Sequence, residues 1–344
     1  MTNERYSHNA KNGMYELEYP APAVNTEGTV GPTLIVALHG YADAGQAVES
    51  SADHLKAALE NRLVASFNAD ELIDYRSRRP ATTIDTDKPI EIDNLDLDMR
   101  VLRDVSDTPF LLLSGPEPDL RWQSFTKAVS DLVERFNVTN TIVLYGAPSP
   151  APHTRPLVIS AHGNDQKLVG RMFRFDSTMI VPGSAQLYIE RELAKKDRNV
   201  AGYTAHVPHY LAASTYPEAV YKLLDAVSRA ASLDLPLRSL EHDVERFETH
   251  LAEQVSQVEE LDQIVQQLEH QYDSFVARYR TEHPQAILPG EENVPSGEEI
   301  SAEFQRFLDA IEQEDSWREH FLREDINDRE DEITGPEDGP APQD

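Results

Sequence analysis

Cysteine is absent from the 344 residues. That removes a disulfide framework, a cysteine-bound zinc or iron–sulfur centre and a thiol nucleophile. Basic residues are scarce: 31 Lys and Arg stand against 61 Asp and Glu, a formal net charge of −30. Affinity for phosphate backbones comes mainly from clustered Lys and Arg, so no nucleic-acid partner is expected. The same charge opposes docking on an anionic membrane. Apolar stretches such as Leu34–Leu38 and Phe110–Leu113 are far too short to span a bilayer. Met1–Arg5 carries no apolar leader, and a soluble, cytoplasmic protein is the expectation. Familiar catalytic motifs are missing too. No Gly-x-Gly-x-x-Gly or Walker-type phosphate loop occurs, and no serine sits in a Gly-x-Ser-x-Gly elbow.

What is present is an alternation of short apolar runs with amphipathic ones. Thr33–His39, Leu63–Phe67, Phe110–Ser114, Thr141–Tyr145, Leu157–Ser160 and Val200–Val207 read as strands. Gln46–Asn61, the stretch from Trp122 to Phe136, Ala185–Lys196 and Pro217–Ala231 read as helices, with Asp119 placed to cap the second. Strands of unbroken apolar character between helices predict a mainly parallel sheet covered on both faces. Residues 14–235 form one three-layer α/β domain on this reading, preceded by a tail at 1–13. Sites in open sheets lie beyond the carboxyl ends of the strands.

From Leu240 the pattern changes. Apolar residues recur in steps of three and four through Val244, Phe247, Leu251, Val255, Val258, Leu261, Val265, Leu268, Tyr272, Phe275 and Tyr279. This predicts one long helix of about 40 residues, roughly 60 Å at 1.5 Å per residue. Pro284–Gly297 then reads as a reversing loop and Ser301–Asp325 as a second amphipathic helix, giving a helical appendage over 236–325 built as a hairpin. Leu261 is expected in its dry contact. The acidic, Pro/Gly-rich stretch 326–344 is expected to be disordered.

Chemistry-bearing candidates lie in the loops. Asp43 sits in Gly40–Gly45, where it would repel a phosphate at the following helix start. Arg76, Arg78 and Arg79 fall within four positions, suited either to an anion or to ion pairs with nearby carboxylates. His153 and Arg155, with His206 and His209, fall at or near strand ends and could converge with His39 and His162 at one sheet edge. Such a set suits general acid–base chemistry or a metal, yet no third metal ligand is set by spacing and Pro208 bars a helical His-x-x-His, so no metal site is assigned.

Several segments together resemble one family. Gly40-Tyr-Ala-Asp-Ala-Gly45, Asp74-Tyr-Arg-Ser-Arg-Arg-Pro80, Gly115-Pro-Glu-Pro-Asp119 with Trp122, Pro152-His-Thr-Arg-Pro156, His206-Val-Pro-His-Tyr-Leu211 and Leu268-Glu-His-Gln-Tyr-Asp273 follow one another as in the actinobacterial branch of the proteasome assembly chaperone 2 family. The resemblance covers residues 14–280. It implies a three-layer αβα sandwich similar to the purine nucleoside phosphorylase fold, a helical C-terminal addition, and a homo-oligomer, a trimer. It implies no cofactor and carries over no catalytic residue. Tyr41 stands where Trp is usual, and Asn68 replaces an Asp. Chaperones of the wider family dock on the proteasome through a hydrophobic–Tyr–X tail, whereas this sequence ends Ala341-Pro342-Gln343-Asp344, so docking by that device is not expected. The leading expectation is a non-enzymatic assembly or protein-binding oligomer. The alternative is an enzyme or small-anion binder, for example an ATP-dependent ligase or a phosphorylase-like activity, using Asp43, Arg76, Arg78, Arg79, His153, Arg155, His206 and His209.

Overall fold

A computed structural model describes residues 13–291, apart from 21, 23, 25–30, 87, 171, 257, 258 and 285. The strands are β1 (Tyr15–Leu17), β2 (Thr33–His39), β3 (Asn61–Phe67), β4 (Thr82–Asp85), β5 (Lys88–Ile92), β6 (Asp98–Arg103), β7 (Pro109–Pro116), β8 (Asn140–Ser149), β9 (Ile159–Gly163) and β10 (Asn199–Pro208). The α-helices are α1 (Ala47–Ala58), α2 (Ala69–Leu72), α3 (Trp122–Arg135), α4 (Gln166–Val169), α5 (Ala185–Lys195), α6 (Pro217–Ala231), α7 (Arg238–Ser256) and α8 (Glu259–Glu282).

Eight strands form one sheet in the order β1-β3-β6-β7-β2-β8-β10-β9. Strand alternation divides the core in two. Ile35, Leu112, Ile142, Ala201 and Tyr203 meet α1 and α6 on one face. Leu34, Val36, Leu111, Val143 and Val200 meet α3 and α5 on the other. This is the expected αβα sandwich. Local chemistry fixes the helix starts: Ser184 Oγ accepts from Leu187 N at 3.2 Å to cap α5, and Pro217 opens α6. Gly146 on β8 is a close approach, since a Cβ there would lie 2.6 Å from Ala44 O. No helix among the described residues is long and apolar enough to cross a membrane.

Several expectations are corrected. The sheet is mixed. Only β7-β2-β8-β10 run parallel, while β1, β3, β6 and β9 join antiparallel. The expected strand Leu157–Ser160 lies two residues later, at Ile159–Gly163, as the antiparallel edge. Asp119 does not cap α3. The N-cap is Arg121, and the Asp119 carboxylate accepts from Asp74 N at 2.9 Å instead. The long seam is carried by two helices rather than one, α7 ending at Ser256 and α8 beginning at Glu259. Leu261 is 42% exposed rather than dry, because α8 turns Val265, Leu268, Tyr272 and Tyr279 inward. The expected helix at 301–325, the tail at 326–344 and the N-terminal tail up to residue 12 lie outside the described residues.

β4 and β5 form a separate two-stranded ribbon. Its Ile84, Ile90 and Ile92 are each more than 60% exposed.

Candidate functional site

The carboxyl ends of β2 and β7 bring Asp43, Arg78, Glu117, Asp119 and Gln186 into one neighbourhood. Glu117 N donates to His39 O at 2.8 Å, joining the two strand ends. The Glu117 side chain, only 5% exposed, turns to the start of α5 and accepts from Ala185 N at 2.7 Å, a position the helix dipole favours for an anion. Arg78 Nε lies 3.3 Å from Asp119 Oδ1, and its Nη1 reaches His39 O at 3.5 Å. Gln186 donates through Nε2 to Leu38 O at 2.6 Å, while its buried Oε1 has no partner among the described residues.

Asp43 accepts from Val48 N at 2.6 Å and from Glu49 N at 3.2 Å, tying the loop to α1. Burial pushes its carboxyl up to about 6 against these two hydrogen bonds. His39 Nδ1 lies 3.7 Å from Glu49 Oε1, and burial lowers the imidazole, keeping it neutral more readily. Arg78 thus shares this end of the sheet with the carboxylates of Asp43, Glu49, Glu117 and Asp119. Such a set suits a donor-rich group better than an anion.

The other arginines have separate places. Arg76 folds back on Asp74, with Nε 3.3 Å from Oδ1, and that hydrogen bond holds the Asp74 carboxyl below its ordinary value. Arg79 is exposed. Arg155 lies away from these three, between Glu269 and Asp273 of α8.

The histidines divide into two groups. His153, beyond β8, meets the Tyr210 hydroxyl through both its N and Nδ1 at 2.8 Å, and the exposed His209 ring packs edge-on to the same tyrosine. His206 and His162 share the β9–β10 edge, on the face that meets α5. His206 Nε2 is 2.8 Å from Ser160 Oγ, and burial pushes the imidazole down to about 4. His162 Nε2 is 2.8 Å from Glu190 Oε2, and Tyr145 OH donates to Glu190 Oε1 at 2.6 Å. Glu190 sits opposite Gly202, where an added Cβ would lie 2.3 Å from the His162 ring and 2.7 Å from Glu190 Oε1. Tyr145, Glu190 and His162 thus form one hydrogen-bonded chain from the interior to the edge, in which burial holds the proton on the Tyr145 phenol. Sequence spacing could not reveal it, because its members come from β8, α5 and β9. Five histidines that could have converged at one edge therefore do so only as His162 and His206.

A profile of the PAC2 family matches residues 37–255. No protein of curated function matches the chain. Among solved structures, a Corynebacterium glutamicum protein of unknown function is 54% identical with a TM-score of 0.75, covering 78% of this chain and 100% of that one. A Mycobacterium tuberculosis protein of unknown function is 45% identical with a TM-score of 0.76, over 79% and 93%. A proteasome-assembly chaperone homologue from Mycobacterium tuberculosis is 22% identical, with a TM-score of 0.62 over 68% and 99%, a likeness of fold.

Proposed function

The chain belongs to the PAC2 family, and from that premise we propose that it is a non-enzymatic, chaperone-like protein that binds other proteins as a cytoplasmic homo-oligomer, a trimer, on a core of the purine nucleoside phosphorylase kind. The β4–β5 ribbon carries this reading. All its residues of described burial are exposed, and three isoleucines project from it. A two-stranded ribbon is marginal alone in water, and clustered exposed apolar side chains mark interaction surfaces. A ribbon given by each copy to the next closes a ring of like contacts. The paired cations support the same reading: Arg78 and Arg155 are engaged by carboxylates rather than held open for a ligand. Light scattering of the full chain tests it, with three protomer masses expected. A monomeric mass at micromolar concentration overturns it. Affinity capture from native cytoplasm, followed by mass spectrometry, then identifies the protein partner.

A second reading, favoured by the buried Gln186 Oε1 without a partner and the raised Asp43 carboxyl at the same strand ends, is an enzyme or small-ligand site of ligase or phosphorylase type. Its test is a thermal-shift screen of nucleotides, amino acids and inorganic phosphate, with Asp43→Asn expected to abolish any response. No shift with any of them removes this reading.

A further inference from the structure

Three donor side chains from distant parts of the chain meet at the end of α8. Asp176 lies in the segment between α4 and α5, Glu282 ends α8, and His283 follows it. One ligand atom from each lies within 4.8 Å of the other two. Packing positions them. Phe173 packs at a tilt against Phe275 and Tyr279, with ring centroids 5.5 and 4.4 Å away. Arg174 N donates to the Tyr279 hydroxyl at 3.2 Å. The His283 ring lies 4.3 Å from that of Tyr279, and its backbone N closes the last turn on Tyr279 O at 2.8 Å. Asp176 Oδ2 and His283 Nε2 thereby stand 2.6 Å apart.

Charge is left over at this point. Two carboxylates share it with a single imidazole, and Glu282 has no ion-pair partner among the described residues. The terminal carbonyls of α8 add their own negative potential. The donor set also selects among cations. An imidazole with two carboxylates suits zinc and its first-row neighbours, whereas magnesium and calcium favour all-oxygen shells. Tetrahedral zinc with bonds of about 2.0–2.1 Å holds its ligands about 3.3 Å from one another, so small side-chain rotations bring these three donors to it. We propose that Asp176, Glu282 and His283 bind one divalent cation of the zinc type, which clamps the end of α8 to the segment between α4 and α5. Three protein donors leave one coordination position to water. Asp176 and His283 lie 107 positions apart, which is why no motif announces the set.

The test uses the full chain freed of metal by a chelator, titrated with zinc chloride and separately with magnesium chloride by calorimetry, with melting followed in parallel. One zinc per chain, a raised melting temperature and no response to magnesium are expected. Glu282→Gln and His283→Ala should each weaken zinc at least about tenfold and cancel the melting shift. Glu282 is exposed and has no ion-pair partner among the described residues, so the metal-free Glu282→Gln chain should melt with wild type and fold normally. No zinc uptake, a magnesium response equal to that of zinc, or zinc binding unchanged in both variants would each overturn the proposal, the last by placing the ion at other histidines.

Discussion

Arg155 and Asp273 meet fork to fork: Nε lies 2.8 Å from Oδ1 and Nη2 2.9 Å from Oδ2. Nη1 turns to Glu269 Oε1 at 3.1 Å, and one turn away the Tyr272 hydroxyl donates to Pro156 O at 2.7 Å. The connection after β8 is thus stitched along one face of α8. Arg155→Ala should cost about 1 kcal/mol, the upper range for a partly exposed pair, or about 2–4 °C in melting. Arg155→Lys should recover little, because an ammonium cannot make the two-pronged contact. Hydrogen exchange across 266–276 should quicken in both variants. Unchanged exchange would show that packing alone holds α8.

Elements with a chemical signature of their own are legible in the amino-acid sequence. β2 is a continuous apolar run because both of its faces are covered, and α5 and α6 announce themselves through Ser184 and Pro217. β6 is not legible. Asp-Met-Arg-Val-Leu-Arg has no clean period, and Arg100 becomes admissible only through Asp98 and Asn61 beside it. The β4–β5 ribbon escapes for another reason: half-polar strands read as loop when no other described element covers them. For the arginines, the sequence identifies the kind of partner but not which one. Asp119 lies 41 positions from Arg78 and Glu269 114 from Arg155, so only folding could choose them.

Ile90 probes the ribbon. It is 63% exposed, so Ile90→Asp should leave the melting of an isolated protomer unchanged within about 0.5 kcal/mol. In an assembly joined through the ribbon, the same change places a charge in an apolar contact and should release protomers. Copies of a −30 chain repel one another, so association should strengthen as salt rises from about 0.05 to 0.5 M. Sedimentation velocity reads both effects. A variant with wild-type mass would move the contact elsewhere.

His162 gives the fold a dependence on pH. Its hydrogen bond to Glu190, helped by that carboxylate's charge and opposed by burial, raises the imidazole above 6.5. A histidine raised on folding contributes stability that is complete below its unfolded value and is lost as pH rises through the folded one. Melting should therefore fall on moving upward from about pH 6.5, and His162→Gln should flatten that segment of the curve. Gly202→Ala should do the same by displacing both partners, since its Cβ would clash with the ring. A wild-type slope in both variants would assign the pH dependence to other groups.

Asp43 acts lower on the pH scale. Its carboxyl sits where α1 begins, accepts two backbone N–H groups, and is nonetheless raised to about 6, so burial outweighs the hydrogen bonds that favour its charge. A carboxyl raised on folding binds its proton more tightly in the native state. Its contribution is greatest below the unfolded value of about 4 and is lost as pH climbs to about 6, the reverse of an ordinary salt-bridged aspartate. Asp43→Asn removes the titration and keeps one amide oxygen to accept from Val48 N, the shorter of the two contacts, while giving up the longer one from Glu49 N. The variant should melt with or above wild type at pH 7 and show a flatter profile between about 4 and 6. Asp43→Ala loses both acceptor contacts and should fall below Asp43→Asn by about 1 kcal/mol, the usual cost of a lost cap. Differential scanning calorimetry across that range separates the cases. If Asp43→Asn melts well below wild type at pH 7 while keeping the same slope, the carboxylate is stabilising as a charge, and burial does not govern it.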